Sequence, residues 1–532
     1  MTTTSILTLC LLVVFFAILV VIGVYCRKHS TNVEGFVLGG RSVGPWLTAF
    51  AFGTSYFSAV VFVGYAGQFG WNFGIASTWI GLGNAFIGSL LAWVVLGRRT
   101  RLMTQHIGSR TMPDFFAKRF GSEKLKIAAS IIVFVFLIPY TASLYNGLSS
   151  LFSIAFDIPF WVVILVMAVL TGIYVTFGGY MATAINDFIQ GIIMLVGIVV
   201  VIGAVLYSNG GLTEALTELS LVENPYEATE GMAGAFASFL GTQPLYLLMV
   251  VILTSLGTWG LPQMVTKFYS IKNEDAVKKG TIISTIFAIV VSGGCYFLGG
   301  FGRLYSDSAS IYSEDGSVLT DAIIPTMLST LPDIVIAIVV ILVLSASMST
   351  LSSLVLTSSS TLTLDVILHF SKKEATEKKK VAIMRIFIFF FIAISAVIAL
   401  LKDKYNFTMI AQMMGISWGA LAGAFLAPFL YGLYWKKTTK SAVAVSFVFG
   451  VGMMCVQLCV SLGLFSFTNT VLEFVFRNSL YSGAITMLVG LVLVPIVSLI
   501  TPKLKKDKID VDEIFTCYDK KVTVEATKSL GE

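Results

Sequence analysis

Long apolar runs separated by short basic segments are the feature that most constrains this 532-residue chain. A helix needs about 20 apolar residues to cross the hydrocarbon core of a bilayer, because each residue adds only about 1.5 Å. We therefore predict an all-α integral membrane protein with about 13 transmembrane helices. The predicted spans are approximately 5–26, 45–68, 73–97, 127–153, 159–177, 184–207, 242–265, 281–302, 333–358, 382–401, 407–432, 441–464 and 481–501.

The basic residues predict which end of each span faces the cytoplasm. Membrane proteins concentrate Lys and Arg in cytoplasmic loops. With the N-terminus outside, the predicted cytoplasmic segments hold 31 of the 35 Lys and Arg residues. We expect a multi-pass protein of the cell (cytoplasmic) membrane with an outer N-terminus and a cytoplasmic C-terminus. The four basic exceptions are Arg303, Lys402, Lys404 and Arg477.

The same distribution argues against several functions. The net charge of +6 is divided among short clusters between spans, so it does not indicate nucleic-acid binding. His29, His106 and His369 all fall in predicted cytoplasmic segments, and no HExxH metalloprotease motif or P-loop motif is present. An enzyme is therefore not expected. A channel and a transport-like sensor fit less well than a transporter, and the sequence indicates no obligate protein partner.

Residues 345–363 carry twelve Ser or Thr residues in nineteen, inside an otherwise apolar span. Ser349, Ser352 and Ser353 are spaced i, i+3, i+4, so they share one helix face. Neutral oxygens on one face suit a small hard cation. Asp187, about one turn into the sixth span, is an acidic residue at membrane depth and could supply the counter-charge. The pattern predicts an ion site in a transporter.

Two spans are interrupted at matching places. Residues 53–58 place Gly and hydroxyls in the middle of span two, and residues 254–263 include Pro262, which removes a backbone donor. Paired interruptions five spans apart indicate an inverted-repeat transporter. The predicted segments are a first helix and loop (1–44), a first repeat (45–207), an outer acidic loop (208–241), a second repeat (242–432), two peripheral helices (433–501) and a cytoplasmic tail (502–532).

Four strings of residues resemble one family. They are GRSVGPW at 40–46, YVTFGGYMATAINDFIQG at 174–191, WGLPQMVTKFYSIKNEDAVKKG at 259–280 and SMSTLSS at 347–353. With them, the chain resembles the sodium:solute symporter family, most closely its sodium/proline and sodium/pantothenate branch. The resemblance implies the fold of the bacterial leucine transporter, with a five-plus-five inverted repeat and broken helices in spans two and seven.

The resemblance also implies sodium ligands. It implies a first site between spans two and nine, and some members have a second site on spans six and nine. The branch can carry Asp at the position of Tyr56, so the first site is expected to be charge-neutral here. The first site would use carbonyls of Thr54, Phe57 and Ala346 with hydroxyls of Ser349 and Thr350; the second would use Asp187, Ser349, Ser352 and Ser353.

The implied function is sodium-coupled import of a small organic solute by alternating access. Sugar-transporting members place acidic and amide residues in the pocket, whereas the matching span-two position here is Val61. A carboxylate-bearing solute such as pantothenate, proline or a monocarboxylate is therefore expected. The number of sodium ions moved in each cycle is one or two. The alternatives are proton coupling through Asp187 and transport of a sugar or sialic acid. The implied solute-binding residues are Ser58, Tyr140, Thr254, Ser255, Thr258 and Trp259.

Overall fold

The computed structural model is helical throughout the part of the chain that it describes. It contains no β-strand in those residues, and only two isolated bridges, Val43 with Ile271 and Tyr312 with Val318, pair extended segments. The described residues are 3–156, 159–226, 231–371, 375–405, 410–501 and 509–519.

Helices of very different lengths build the structure. Several short helices are joined by π-helical turns, which insert an extra residue into the helical ladder and are frequent at functional sites. The π-helical turns are Val60–Tyr65, Asn84–Leu91, Trp93–Gly97, Ile289–Gly293 and Leu362–Ile367. The α-helices are α1 Thr3–Tyr25, α2 Val33–Leu38, α3 Pro45–Thr54, α4 Ala66–Phe73, α5 Thr78–Gly83, α6 Arg98–His106, α7 Met112–Phe120, α8 Glu123–Phe156, α9 Phe160–Ser208, α10 Leu212–Leu221, α11 Pro244–Gly257, α12 Pro262–Tyr269, α13 Glu274–Ala288, α14 Gly294–Gly299, α15 Ile323–Ser329, α16 Asp333–Thr361, α17 Glu377–Tyr405, α18 Ile410–Tyr434, α19 Lys440–Ser461, α20 Thr470–Phe476, α21 Ser479–Ile500 and α22 Val511–Phe515.

Eleven helical runs among the described residues are long and apolar enough to cross a membrane. Two of them, Val60–His106 with 47 residues and Phe160–Ser208 with 49, are about twice the length that one crossing requires. The first run covers the end of predicted span two and all of span three. The second covers predicted spans five and six, and its helix is interrupted at Gly179, where φ is +57°. The start of predicted span 407–432 includes residues 406–409, which lie outside the described part.

The most buried helices surround the two interruptions. Helix α16 packs against α9, α8 and α3, and α18 packs against α8 and α11. In the most apolar window of α18, 94% of the residues are buried, against 33% in that of α17. A helix that is buried on every side cannot direct its polar groups to solvent or to lipid headgroups. The Ser and Thr side chains of α16 between Ser345 and Ser353 are also buried, so their hydroxyls have to find partners inside the protein.

The chain leaves helical geometry at both predicted interruptions. Helix α3 ends at Thr54, residues 55–58 are non-helical, and helical geometry resumes at Ala59. Helix α11 ends at Gly257 and α12 begins at Pro262, whose missing N–H is harmless at a helix start. Backbone groups at such ends have no partner within the helix. They are therefore available to ions, solutes or side chains of neighbouring helices.

Candidate ion and solute sites

Backbone carbonyls at the end of α3 meet two hydroxyls of α16. The Thr350 hydroxyl lies 3.1 Å from the Thr54 carbonyl oxygen, 3.2 Å from that of Phe57 and 3.1 Å from that of Ala346. The Ser349 hydroxyl lies 2.9 Å from the Thr54 oxygen and 3.1 Å from the Ala346 oxygen. All five residues are buried. The structure therefore brings together every residue of the predicted first sodium site, which we call the carbonyl set.

The carbonyl set has more oxygen acceptors than protons. Its two hydroxyls carry one proton each, yet they make five close approaches to carbonyl oxygens. The Ala59 N–H donates to the Ser347 hydroxyl at 3.3 Å. A cluster of converging oxygens with too few donors has the chemistry that a hard cation requires.

The predicted second sodium site, which we call the second set, consists of Asp187, Ser349, Ser352 and Ser353. Two of its members contact Lys267, a residue that the sequence analysis did not assign to the site. The Lys267 ammonium lies 3.6 Å from an Asp187 carboxylate oxygen and donates to the Ser353 hydroxyl at 2.9 Å. The Ser352 hydroxyl donates to the Ser349 carbonyl of its own helix at 2.8 Å. The predicted span 242–265 ends before Lys267, so the sequence predicts a cytoplasmic position for this residue. The structure instead places it in α12, almost completely buried.

Aromatic side chains gather beside the interruption after α3. The Tyr140 ring lies 6.0 Å from the Trp418 ring, edge to face, and the Tyr56 ring lies 6.5 Å from it. The Tyr140 hydroxyl is close to the side chains of Ser58 and Trp418. Among the described residues, none of these four polar groups forms a hydrogen bond of ordinary geometry. We call Tyr56, Ser58, Tyr140 and Trp418 the aromatic cluster.

Trp418 connects this cluster to the second interruption. A Cβ atom added to Gly257, the last residue of α11, would lie 2.7 Å from Cε3 of the Trp418 ring. Only glycine permits an approach this close, so the indole ring rests on the end of α11. Trp418 is not among the solute-binding residues predicted from the sequence. A tryptophan between Ser417 and Gly419 in a buried span was the signal that could have identified it.

The other four predicted solute residues already have hydrogen-bond partners within the protein. Thr258 donates to the Gly88 carbonyl at 2.9 Å, and the Trp259 indole donates to the Ile87 carbonyl at 3.0 Å. Ser255 lies 3.3 Å from the Asn84 side-chain oxygen, and Thr254 donates to the Val250 carbonyl at 2.9 Å. Of the six predicted residues, the structure thus brings Ser58 and Tyr140 together, and it directs Ser255, Thr258 and Trp259 towards residues 84–88.

A buried arginine anchors the segment that precedes the first interrupted span. Arg41 has a φ of +54°, the only positive value outside glycine in the described residues. Its guanidinium pairs with Glu34 at 3.2 Å and donates to the carbonyl of Tyr269 at 3.4 Å. Burial lowers the pKa of Arg41, and the attraction of Glu34 opposes that shift. These contacts fasten residues 39–41 to the end of α12.

A small cavity adjoins the Lys267 side of the site. It has a volume of about 20 Å³, roughly room for one water molecule, and Lys267, Ser353, Arg110 and Thr111 are part of its wall. Arg110 also borders a larger cavity of about 650 Å³. The predicted second set therefore lies next to a water-sized space that faces the basic segment 98–126.

This arrangement defines a multi-pass membrane protein of the transporter class, with cation-suited oxygens at an interrupted helix. The model of the sodium:solute symporter family matches residues 36–450, and the chain belongs to that family. This membership bears out the resemblance found in the sequence and indicates a transporter rather than an enzyme.

Named relatives and a solved structure agree with that assignment. Sodium/proline symporter 2 of Staphylococcus saprophyticus is 29% identical, over 83% of this chain and 84% of its own. The osmoregulated proline transporter OpuE of Bacillus subtilis is 27% identical, over 85% and 88%. A sodium-coupled sialic acid symporter in a substrate-bound outward-open state superposes with a TM-score of 0.70 at 17% identity, over 93% of this chain and 98% of that one. This last likeness concerns the fold alone.

Proposed function

We propose that this protein imports proline, or a closely similar small carboxylate-bearing solute, together with sodium. The observation that carries the proposal is the carbonyl set, in which three carbonyls and two hydroxyls converge with too few protons. Sodium has nearly the ionic radius of calcium, which takes oxygen ligands at roughly 2.3–2.6 Å. Neighbouring oxygens at such distances from one ion lie about 3.3 Å or more apart, so the hydroxyl–carbonyl contacts of 2.9–3.2 Å would lengthen slightly to admit the ion.

The aromatic cluster supports a small amphipathic solute. Its hydroxyl and indole groups can donate hydrogen bonds to a carboxylate, while its three rings can cover an apolar body. The cluster contains no acidic or amide side chain of the kind that would bind several sugar hydroxyls. Proline has a carboxylate and an apolar ring, and two of the relatives are named for proline transport. These features favour proline over pantothenate, a sugar or sialic acid.

Adjacent residues would couple the ion to the solute. Phe57 contributes a carbonyl to the carbonyl set, and the next residue, Ser58, belongs to the aromatic cluster. An ion that fixes the Phe57 carbonyl also fixes the backbone from which Ser58 projects. Sodium binding would then order the solute site, and solute would in turn tighten sodium binding by the same factor.

The proposal includes the architecture expected from the sequence. The interruptions after Thr54 and Gly257 would be the broken helices of two inverted repeats, 45–207 and 242–432, flanked by the segments 1–44, 208–241, 433–501 and 502–532. The positive-inside distribution supports an outer N-terminus and a cytoplasmic C-terminus. At the predicted second sodium site, the Lys267 ammonium 3.6 Å from Asp187 supplies the positive partner that a buried carboxylate needs.

Uptake by purified protein in proteoliposomes tests the function. Radiolabelled proline, pantothenate, a short monocarboxylate, glucose and sialic acid are offered under an inward sodium gradient, and then under matched potassium and proton gradients. The proposal expects proline to accumulate only with the sodium gradient. Accumulation driven equally well by a proton gradient without sodium would replace sodium with proton coupling, and accumulation of another solute alone would reject proline.

A further inference from the structure

A buried lysine contacts two of the groups that were expected to bind a second coupled ion. Lys267 lies in α12, which begins at Pro262 directly after the second interruption. Its ammonium is 3.6 Å from the Asp187 carboxylate and 2.9 Å from the Ser353 hydroxyl, with side chains 3% and 0% exposed for Lys267 and Asp187. Lys267 thus contacts two of the four groups that would have to bind the ion.

The hydrogen bonds around Ser353 fix the direction in which each proton points. Lysine can only donate, so the Ser353 oxygen accepts from Lys267. The Ser55 hydroxyl gives its single proton to the Ala51 carbonyl, so in the 2.8 Å contact between Ser55 and Ser353 the donor is Ser353. The chain from Lys267 through Ser353 and Ser55 to Ala51 uses every hydroxyl proton. It joins the ammonium to the end of α3, where Thr54 contributes to the carbonyl set.

The charges of this buried region balance without an added ion. Asp187 and Lys267 sum to zero, and the ring of Tyr180 lies 5.2 Å from the ammonium, where its face adds attraction. A sodium ion beside the same carboxylate would leave one uncompensated positive charge in a space without bulk water. Repulsion between two cations about 5 Å apart would weaken that binding by on the order of a hundredfold.

We propose that the Lys267 ammonium replaces a second sodium ion, so that this transporter moves one sodium ion with each solute molecule. The inference rests on the proposed sodium coupling and adds to it the number of ions and the residue that sets this number. A tethered ammonium supplies the positive charge that Asp187 needs, but it cannot cross the membrane. Lys267 is therefore a residue that determines coupling stoichiometry, not a transported charge.

The voltage at which net flux reverses measures this number directly. Proteoliposomes receive equal sodium on both sides and tenfold more radiolabelled proline inside, and valinomycin with potassium gradients sets the voltage. Because proline carries no net charge, one sodium ion per proline predicts reversal near about −59 mV inside, and two ions predict about −30 mV. Reversal near −30 mV in the unaltered protein would overturn the inference while leaving sodium symport intact. Absence of any sodium-dependent flux would overturn both.

Variants test whether Lys267 is the cause. Lys267→Gln keeps a polar group near Ser353 and frees Asp187 to bind sodium, so the reversal voltage of this variant should move towards about −30 mV. Lys267→Arg keeps the positive charge, so its reversal voltage should stay near about −59 mV. Lys279→Gln, which removes an exposed lysine 2.9 Å from Asp275, is the matched control and should leave the voltage unchanged. An unshifted voltage in an active Lys267→Gln variant would contradict the assignment to Lys267. If that variant does not fold, the measurement on the unaltered protein still decides the number of ions.

Discussion

Replacing Thr350 with Ala removes the hydroxyl that approaches three carbonyls of the carbonyl set. Its oxygen lies 3.1–3.2 Å from the oxygens of Thr54, Phe57 and Ala346, and no other side chain in the described part of the chain approaches all three. Losing one polar ligand of a charged group costs about 1.5–3 kcal/mol. This energy corresponds to a rise of roughly 10- to 150-fold in the sodium concentration that gives half-maximal proline uptake.

The assay measures initial rates of proline uptake at increasing sodium, with ionic strength held constant by choline. Thr350→Ser keeps the hydroxyl and should stay within about threefold of the unaltered protein. Ser359→Ala is the control within the same helix, because the Ser359 hydroxyl bonds only to the Leu356 carbonyl of α16, at 3.2 Å. Unchanged sodium dependence in Thr350→Ala would refute the proposal that the carbonyl set binds the coupling ion.

Two further changes test the aromatic cluster. Tyr140→Phe removes one hydrogen-bond donor and should raise the KM for proline by roughly 10- to 150-fold. Sodium binding measured without proline should not change. An unchanged KM would exclude contact between Tyr140 and the solute. Gly257→Ala places a methyl group 2.7 Å from the Trp418 ring and should weaken proline binding at least about tenfold in a folded protein. Its control is Gly452→Ala, which meets no atom within 4 Å and should transport normally.

The residues of the carbonyl set were predicted from the family resemblance and not from helical geometry. Helical spacing alone puts Ser349, Ser352 and Ser353 on one face, whereas Ser349 and the adjacent Thr350 were assigned to one site because they match the family's sodium ligands. The interruption at residues 53–58 could be located because Gly and hydroxyls break an apolar pattern. The structure brings these two features to within 3.2 Å of each other.

Other parts of the site depend on geometry that a linear sequence does not contain. Lys267 follows the predicted span 242–265 and was expected outside the membrane, because its burial depends on the direction that α12 takes after Pro262. Trp418 was not among the predicted solute residues, because its approach to Gly257 joins two helices far apart in the chain. The side-chain directions of Thr258 and Trp259 depend on the same turn, and it points them to residues 84–88.

Direct binding of radioactive sodium to the purified protein tests the central claim most closely. The account predicts saturable binding that proline tightens and that Thr350→Ala weakens by roughly 10- to 150-fold, with Ser359→Ala unchanged. This measurement separates ion binding from every later step of transport. Saturable binding of equal strength in Thr350→Ala, or binding that proline does not affect, would contradict the account.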